Sequence, residues 1–560
     1  MHDSITLVLS GEAGQGLQTV EEFLVEALTQ ETYVFSSKEV MSRVRGGNNS
    51  VEIRVSNHPV FALRYTIDYL FLFNDHAVDR LRPRLTDKTV IIGEANFLAA
   101  SDLNGHTTKA VPFIDMAKQA GNRLYENTAM FGYIAGLLSI NTGNAKALIT
   151  KRFAKRGDAV VDGNLAAFDL GYAVGSADPD KPNLVMPKDF TRKPIMTGND
   201  ALSIGALAGG VNYVAAYPMS PGTTLMTLLE DQSRDFGVLV EQAEDEIAAL
   251  NMVIGAWYAG ARALTTTSGG GFALMTEAVS LAGITESPAV IHIAQRPGPA
   301  TGLPTRTEQG DLNLALYAGH GEFPRVIFAP ARIEDGVELM ARAFYLADKY
   351  QIPAFVLSDQ YWLESITQHE PITIPTTYAN LNIVKTEEDY LRYKLDPSGI
   401  SPRGIPGYGK GLVKVDSDEH NEDGTITESF TVRQAMNQKR LNKLNLLKVD
   451  QLDPISGGSK AGEELLISWG STYGIVKEVV DSHPEKAWTH WHFIQVFPLP
   501  KHLDSALAKA KSITVIENNA TGQLANLIQQ TYGIKVTRRI NKSTGEPFHV
   551  DELETLLEVN

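Results

Sequence analysis

The sequence of 560 residues contains no cysteine. Disulfide bonds, catalytic thiols and cysteine-ligated iron–sulfur clusters are therefore excluded from this chain. It also lacks any apolar run of the roughly 20 residues that a membrane-spanning helix needs. The first residues, Met1 to Ser4, carry neither the basic start nor the apolar core of a secretory signal, so we expect a cytoplasmic protein with no membrane span.

Positive charge is also in short supply. The 50 Lys and Arg residues face 66 Asp and Glu residues, which gives a formal net charge of −16. A surface of this sign repels phosphate backbones, so nucleic acid is not an expected partner. It also repels an acidic electron carrier, whose docking site is better sought on another subunit.

Strand and helix patterns alternate along most of the chain, which predicts the α/β fold class. The length of 560 residues exceeds what one hydrophobic core usually serves, so several domains are expected. Stretches rich in Pro, Gly and polar residues divide the chain. The expected segments are an α/β domain at 1–180, a linker at 181–197, an α/β domain at 198–370, an irregular extended arm at 371–460 with one basic helix near Arg433 to Leu446, and an α/β domain at 461–560.

The first candidate site segment runs from Tyr217 to Thr224 and follows a predicted strand. Ligands of open α/β sheets bind beyond the carboxyl ends of the strands, so the hydroxyls of Ser220 and Thr223 are well placed to meet one. A Ser/Thr helix cap on a proline turn is the plainer explanation of the same residues.

An acidic cluster from Glu244 to Glu246 precedes an uncharged helical run that continues to Ala261. Acidic residues at a helix start usually complement the helix dipole. The uncharged run also allows the Glu246 carboxyl to enter a poorly hydrated interface, where burial raises its pKa and lets it share a proton with a basic ring nitrogen. Both interpretations stay open.

Two loops are the remaining candidate site segments. The turn from Ser268 to Gly271 follows a strand, and its glycines let the backbone approach a flat ligand, although a tight turn explains them equally well. The stretch from Gln295 to Leu312 is proline-rich and carries Arg296 and Arg306, whose planar guanidinium groups suit a carboxylate. A structural ion pair with Glu308 or Asp311 is the alternative.

The order and spacing of these segments closely resemble the alpha subunit of the 2-oxoacid:ferredoxin oxidoreductases, nearest to the 2-oxoglutarate branch. The resemblance covers nearly the whole chain. It is carried by Gly198–Ala201, Tyr217–Pro221, Glu244–Ala249, Thr267–Gly269, Thr285–Pro288, Thr301–Asp311, Trp469–Gly474, Phe497–Pro500 and Glu517–Leu524, and by Gly14–Gly16 and Ser42–Gly47, which look like a fused gamma domain.

The resemblance implies a fold and a set of site residues. It implies a gamma-type domain at 1–180, a pyrimidine-type thiamine-diphosphate-binding fold at 198–370 and a transketolase C-terminal-like domain at 461–560. Glu246 would bond to the aminopyrimidine of the cofactor and favour its imino tautomer. The other implied contacts are Tyr217, Pro218, Ser268 and Gly269 for the cofactor, and Ser220, Thr223, Arg306 and, second to it, Arg296 for the substrate.

Three positions depart from the family pattern. Ser220 replaces a threonine, Gly222 replaces a serine, and Gly270 stands where proline is frequent. A hydroxyl survives at 220, so the departures leave catalysis in place and bear on substrate identity. A 2-oxoglutarate substrate needs a second group for its distal carboxylate, which Arg296, His292 or a residue of another subunit could supply.

The N-terminal glycines, Gly11, Gly14 and Gly16, follow a strand and precede a helix. Their spacing is not that of a dinucleotide-binding fingerprint, so NAD is not expected. The resemblance implies that Gly14, Arg43 and Arg45 lie near coenzyme A, and packing against the second domain explains them equally well.

The predicted activity follows from the resemblance. With a beta subunit that carries the diphosphate–Mg²⁺ site and a [4Fe–4S] cluster, the chain would convert a 2-oxoacid and coenzyme A reversibly to acyl-CoA and carbon dioxide. Electrons would pass to ferredoxin through the partner, in an αβ or (αβ)₂ assembly, and no metal site is expected in this chain. A non-oxidative thiamine diphosphate enzyme and a non-catalytic subunit of the same fold are the alternatives.

Overall fold

The computed structural model describes residues 3–42, 47–103, 105–379, 381–460 and 463–559. The chain forms two compact units. The first comprises Met1–Met196, Ser365–Pro371 and His549–Asn560, and the second comprises Thr197–Glu364 and Ile372–Phe548. Both units mix strands with helices, which confirms the predicted α/β class.

The first unit is built on an eight-stranded sheet with the order β6-β5-β4-β1-β3-β2-β14-β7. Its strands are β1 (Ser4–Glu12), β2 (Tyr33–Glu39), β3 (Asn48–Ser56), β4 (Tyr69–Leu72), β5 (Val90–Gly93), β6 (Thr107–Ala110), β7 (Ile195–Met196) and β14 (Ile366–Gln368). Its helices are α1 (Leu17–Leu28), α2 (Ala95–Ala100), α3 (Phe113–Gln119), α4 (Glu126–Leu137), α5 (Thr142–Phe153), α6 (Asp158–Ser176) and α20 (Val550–Leu556).

Glycines set the closest helix packing in the first unit. A Cβ at Gly132 or Gly136 of α4 would overlap the backbone of α6, and one at Gly171 or Gly175 of α6 would overlap the backbone of α4. The two helices can approach this closely only because these positions carry no side chain. Their buried residues belong to one core with the apolar residues of the sheet, many of which are Leu, Ile and Val.

Two later segments return to the first unit. Strand β14 pairs with β2 on one side and β7 on the other. The C-terminal segment is held by Asp551, whose carboxylate accepts hydrogen bonds from the backbone of Tyr65 at 2.6 Å and Thr66 at 3.2 Å. The five predicted segments do not contain this grouping, because these pairings join residues hundreds of positions apart.

The second unit contains a seven-stranded sheet with the order β18-β12-β13-β11-β10-β8-β9, parallel except for β18. Its strands are β8 (Tyr213–Ala216), β9 (Leu239–Gln242), β10 (Ala263–Thr267), β11 (Ala289–Gln295), β12 (Val326–Phe328), β13 (Pro353–Asp359) and β18 (Gln495–Phe497). The helices around it are α7 (Gly198–Ala208), α8 (Thr223–Asp231), α9 (Ser233–Phe236), α10 (Glu246–Tyr258), α11 (Gly269–Leu274), α12 (Thr276–Ile284), α13 (Leu312–Tyr317), α14 (Ile333–Tyr350) and α15 (Gln360–Glu364).

A five-stranded sheet lies in the C-terminal part of the second unit, with the order β15-β17-β16-β19-β20. Its strands are β15 (Ile455–Gly458), β16 (Glu464–Trp469), β17 (Thr489–Phe493), β19 (Ser512–Glu517) and β20 (Arg538–Asn541), with helices α17 (Tyr473–Ser482), α18 (Asp504–Lys509) and α19 (Gln523–Tyr532). Strand β15 starts before residue 461, the predicted start of the last domain, because it pairs with β17.

The segment before β15 is largely irregular and carries one long helix, α16 (Phe430–Leu447), which confirms the predicted basic helix. Two of its lysines reach a buried carboxylate: the Nζ atoms of Lys439 and Lys443 lie 2.5 and 2.6 Å from the carboxylate oxygens of Glu286. Among the described residues, no helix is both long and apolar enough to cross a membrane.

Candidate functional site

The candidate site lies at one edge of the seven-stranded sheet. Strands β8, β10 and β11 are parallel neighbours and end at Ala216, Thr267 and Gln295. The segments that begin with Tyr217, Ser268 and Arg296 therefore leave the sheet at the same edge, which is where open α/β sheets bind their ligands.

Glu246 is the first residue of α10 and is buried, with 3% of its surface exposed. Its neighbour Asp245 caps the helix, since the Asp245 Oδ1 atom accepts a hydrogen bond from the Ala248 N–H at 2.8 Å. The Glu246 carboxyl is therefore free of capping. Its Oε1 atom is buried and has no hydrogen-bond partner in the described part of the chain.

Two carboxyl groups enclose the glycine turn. A Cβ at Gly271 would stand 2.6 Å from the Glu246 Oε1 atom, and one at Gly269 would overlap the Asp311 carboxyl. The hydroxyls of Thr267 and Ser268 are also buried without a partner among the residues that the structure describes. Unpaired buried polar atoms are rare in proteins, so this concentration indicates a place that a polar ligand completes.

Arg296 links the end of β11 to the segment at Ser220. Its Nη1 atom donates a hydrogen bond to the Ser220 carbonyl oxygen at 2.6 Å, and only 8% of the residue is exposed. Burial lowers the pKa of Arg296, and the nearby Asp311 carboxylate opposes that effect. The Ser220 side chain is exposed, Tyr217 is 39% exposed, and Pro218 and Thr223 are half-buried.

A buried chain of hydrogen bonds also holds the segment after β8, at Gly222. The Thr266 hydroxyl donates to the Gly222 carbonyl oxygen at 3.1 Å, so it must accept from the Nδ1–H of His292 at 2.8 Å. The other ring nitrogen, Nε2, then accepts from the Ser358 hydroxyl at 2.7 Å. Burial lowers the pKa of His292 to about 3, so the ring is neutral. His292 is thus fully occupied and does not supply the second carboxylate contact that the sequence left open.

Arg306 is half-buried in the loop that follows Arg296, beside Gly545 and Glu546. Burial lowers its pKa, and the Glu546 carboxylate opposes this. Two hydrogen bonds hold the loop just after Arg306: the Thr307 hydroxyl donates to Asp359 Oδ1 at 3.0 Å, and the Gln309 amide donates to the Trp469 carbonyl oxygen at 2.6 Å. The loop that carries Arg306 is therefore held to the rest of the unit at two nearby positions.

Comparisons with known proteins decide the family. The sequence pattern described as "Pyruvate flavodoxin/ferredoxin oxidoreductase, thiamine diP-bdg" matches residues 204–439, and that of "Pyruvate ferredoxin/flavodoxin oxidoreductase" matches residues 6–174. The 2-oxoglutarate synthase subunit KorA of Methanocaldococcus jannaschii is 31% identical over 64% of this chain and 97% of its own length. The chain belongs to the 2-oxoacid:ferredoxin oxidoreductase alpha subunits.

Two further relatives of this alpha subunit match along its full length. The 2-oxoacid:ferredoxin oxidoreductase subunit alpha of a Sulfolobus species is 29% identical over 99% of this chain and 96% of the relative. A solved 2-oxoglutarate:ferredoxin oxidoreductase from Magnetococcus marinus, with 2-oxoglutarate, coenzyme A and succinyl-CoA bound, is 28% identical. It superposes with a TM-score of 0.92 over 100% of this chain and 99% of that one. These matches confirm the resemblance inferred from the motifs.

In the first unit of the alpha subunit, Gly14 has a positive φ of 89°, is exposed, and has open space around it. Arg43 and Arg45, the other predicted coenzyme A contacts, lie outside the described residues. Next to Gly14 in the sequence, Gln15 belongs to a cluster of amide side chains that no sequence motif indicates: the Asn74 Nδ2 atom donates to Gln15 Oε1 at 3.3 Å and to Asn48 Oδ1 at 3.1 Å. Its members come from three separate strands or turns, so no local pattern could have indicated it.

The sequence assigned Asp311 only as a structural ion-pair partner. In the alpha subunit it contacts the glycine turn, and its Oδ2 atom is buried without a partner among the described residues. In the sequence, the glycine at 269 is the signal for this contact, because a side chain there would overlap the Asp311 carboxyl. That signal can be interpreted only once the loops that carry Gly269 and Asp311 are known to touch.

Proposed function

We propose that this alpha subunit, in complex with a beta subunit, catalyses the reversible, coenzyme A-dependent oxidative decarboxylation of a 2-oxoacid in the cytoplasm, with 2-oxoglutarate as the favoured substrate. The products are an acyl-CoA, carbon dioxide and reduced ferredoxin. The observation that carries the proposal is the buried Glu246 carboxyl, whose Oε1 atom has no hydrogen-bond partner in the described chain. The substrate choice is supported by the 2-oxoglutarate bound in the Magnetococcus marinus relative.

The residues present fit the pyrimidine of thiamine diphosphate. Glu246 offers a carboxyl that the chain itself does not use, and Gly271 leaves the space beside it that a side chain would fill. Ser268 and Thr267 offer hydroxyls, and Tyr217 and Pro218 border the same sheet edge. When bound, thiamine diphosphate supplies the electron sink for cleaving the bond between the keto carbon and the carboxylate.

The side chains of the alpha subunit then have separate roles in the reaction. Glu246 holds a proton at its free oxygen for exchange with a ring nitrogen, since a buried carboxyl without another partner is suited to that role. Arg296 fixes the Ser220 segment, which presents a hydroxyl to the 2-oxoacid. We assign the substrate carboxylate to Arg306, with Arg296 as the second candidate for that charge and Thr223, the first residue of α8, as a further substrate contact.

A partner chain is needed to complete the site. Large apolar residues are exposed around the candidate site and on the neighbouring edge strand: Leu239 is 61%, Ile247 49% and Leu274 52% exposed. Exposed apolar groups around a site are typical of a surface that another chain covers. We assign the [4Fe–4S] cluster to the beta subunit because this chain contains no cysteine. We also assign the docking of ferredoxin to the beta subunit, because this chain is acidic and would repel an acidic carrier. The diphosphate–Mg²⁺ site is assigned to the same subunit as part of the proposal. An αβ or (αβ)₂ assembly satisfies these requirements.

The proposal includes the domain assignment that the family resemblance implies. We assign residues 1–180 to a gamma domain, 198–370 to the pyrimidine domain and 461–560 to a transketolase C-terminal-like domain, joined by the linker at 181–197 and the arm at 371–460. In this assignment Gly14, with Arg43 and Arg45, lies near coenzyme A. The coenzyme A in the Magnetococcus marinus relative supports its use as co-substrate.

The test is turnover by the co-purified alpha–beta complex. Reduction of methyl viologen is measured with a panel of 2-oxoacids, with and without coenzyme A, and the iron and acid-labile sulfide of the complex are determined. We expect coenzyme A-dependent reduction with 2-oxoglutarate, and loss of about 10²–10⁴-fold in Glu246→Gln. Glu244→Gln is the matched control, because Glu244 is exposed and two residues away. A complex that cleaves 2-oxoacids without iron would be a non-oxidative enzyme, and full turnover by Glu246→Gln would indicate a site not used for catalysis.

A further inference from the structure

The turn that follows β19 contacts the loop that carries Arg306, residues 301–311. This turn begins with Asn518, whose N–H donates to the Gln309 Oε1 atom at 2.9 Å. The Gln309 N–H donates in return to the Asn518 carbonyl oxygen at 2.7 Å. Both residues are buried, where hydrogen bonds are stronger than in water. Asn518 therefore fixes the loop three residues beyond Arg306.

The side chain of Asn518 holds a second segment, which packs against Arg306. Its Nδ2 atom donates to two backbone carbonyl oxygens, that of Lys542 at 2.9 Å and that of Glu546 at 3.2 Å. Between these two residues lies Gly545, where a Cβ would stand 3.3 Å from the Arg306 Cβ. The backbone of the second segment therefore lies directly against Arg306, and Asn518 holds it there.

Gln523, the first residue of α19, holds the same loop at its end. Its Nε2 atom donates to the Gly310 carbonyl oxygen at 2.7 Å, and its Oε1 atom accepts from the Asn313 N–H at 2.8 Å. Both ends of the Gln523 amide are thus used on the loop and on the helix that follows it. Asn518 and Gln523 belong to the motif Glu517–Leu524, to which the candidate site gives no role.

The contacts around Arg306 meet at this one turn. The Thr307 N–H donates to the Gly545 carbonyl oxygen at 3.1 Å, so the loop and the second segment are also bonded to each other. An arginine binds a carboxylate best through two parallel hydrogen bonds, which form only when the planar guanidinium is correctly placed. A displacement of about 1 Å costs a positioned group about 10²-fold in rate.

We propose that Asn518 and Gln523 are positioning residues, which hold Arg306 where its guanidinium meets the carboxylate of the 2-oxoacid. The inference rests on the proposed function, in which that contact is assigned to Arg306. Asn518 fixes both the loop and the segment at 545–546, and Gln523 fixes the end of the loop. Without these hydrogen bonds the guanidinium loses its placement, and the affinity for the 2-oxoacid falls.

A role in stability alone predicts a different result. A loss of stability lowers the fraction of folded complex, so kcat falls while KM for the 2-oxoacid stays unchanged. A misplaced Arg306 instead weakens substrate binding in every folded molecule, so KM rises. A residue that acts through Arg306 must also lose its effect on KM once the guanidinium has been removed.

The experiment measures KM and kcat for 2-oxoglutarate with the alpha–beta complex, for the wild type, Asn518→Leu, Arg306→Ala and the double variant. Leucine has nearly the shape of asparagine but donates no hydrogen bond. We expect Asn518→Leu to raise KM about tenfold, less than the 10²-fold cost of a displacement near 1 Å. In the Arg306→Ala background the same replacement should change KM by about twofold or less.

Asn526→Leu is the matched control. The Asn526 Nδ2 atom donates to the Thr521 carbonyl oxygen at 3.2 Å, so this amide bonds within the same turn, and its loss should leave KM unchanged. Gln523→Met covers the case in which Asn518→Leu fails to fold. Methionine keeps the length of glutamine and removes the hydrogen bonds to Gly310 and Asn313, so KM should again rise, and only when Arg306 is present.

Three results would overturn the proposal. They are an unchanged KM in the folded variants, a rise in KM that is equally large without Arg306, and a wild-type KM in Arg306→Ala. A wild-type complex that turns over no 2-oxoacid would overturn the proposed function instead.

Discussion

Replacing Gly271 by alanine should lower the turnover of the complex, whereas replacing its neighbour Gly270 by alanine should not. A Cβ at Gly271 would stand 2.6 Å from the Glu246 Oε1 atom, whereas ordinary contact begins at 3.4 Å, so the carboxyl has to retreat by about 0.8 Å. The Thr267 hydroxyl is closer still. Overpacking of this kind costs about 1–3 kcal/mol of folding free energy. A displacement near 1 Å of a positioned catalytic group costs about 10²-fold in rate.

Gly270 provides the matched control, since it lies in the same turn of α11 and is exposed. The nearest atom to a Cβ there is the Ala300 carbonyl oxygen at 3.5 Å, which is an ordinary contact. Thermal unfolding of the isolated chain and methyl viologen reduction by the complex are measured for both variants. We expect Gly271→Ala to lose stability and about 10²-fold in turnover, and Gly270→Ala to keep both. Equal activity of the two variants would refute the account of how Glu246 is held.

Two further predictions concern stability. Glu286 pairs with Lys439 at 2.5 Å and Lys443 at 2.6 Å, all three buried, so Glu286→Gln leaves two lysines without their counter-charge and should cost about 3–5 kcal/mol in urea-induced unfolding. The two lysines hold the pKa of Glu286 below its usual range. The ion pairs of Glu286 therefore stabilise the folded chain fully above about pH 4.3, the ordinary pKa of a glutamate, and this stabilisation should be lost as the pH falls below that value. Acid unfolding of the wild type and Glu286→Gln would check this. Gly255 is an exposed glycine inside α10 with open space around its Cα, so Gly255→Ala should raise the unfolding free energy of the isolated chain by about 0.5–1 kcal/mol, and a lower thermal midpoint would contradict this.

The strands of the second unit were largely predictable because parallel strands buried on both faces are short apolar runs. The sequence patterns of Ala263–Thr267 and Glu464–Trp469 predict strands with these bounds, and both form, as β10 and β16. Strand β2 has no such pattern because its buried positions include Ser36 and Ser37, which give no apolar signal. Strand β14 has three residues and forms only through pairing with β2 and β7, which no local pattern can encode.

The site residues were predictable as a group but not in their separate roles. The sequence could not decide whether Glu246 caps its helix, because Asp245 and Glu246 are both acidic and stand at the same helix start. The structure separates them, since Asp245 takes the cap and Glu246 turns into the protein. The long-range meeting of Asp311 with Gly269 and the burial of His292 likewise depend on tertiary contacts.

If Glu246 exchanges a proton with the cofactor ring, deuterium exchange at the thiazolium C2 must depend on its carboxyl. The alpha–beta complex with bound thiamine diphosphate is mixed with deuterium oxide, quenched with acid, and the C2 hydrogen is followed by NMR, for wild type and Glu246→Gln. We expect the variant still to bind the cofactor and to exchange the C2 hydrogen at least about 10²-fold more slowly. Exchange at the wild-type rate in Glu246→Gln would contradict it.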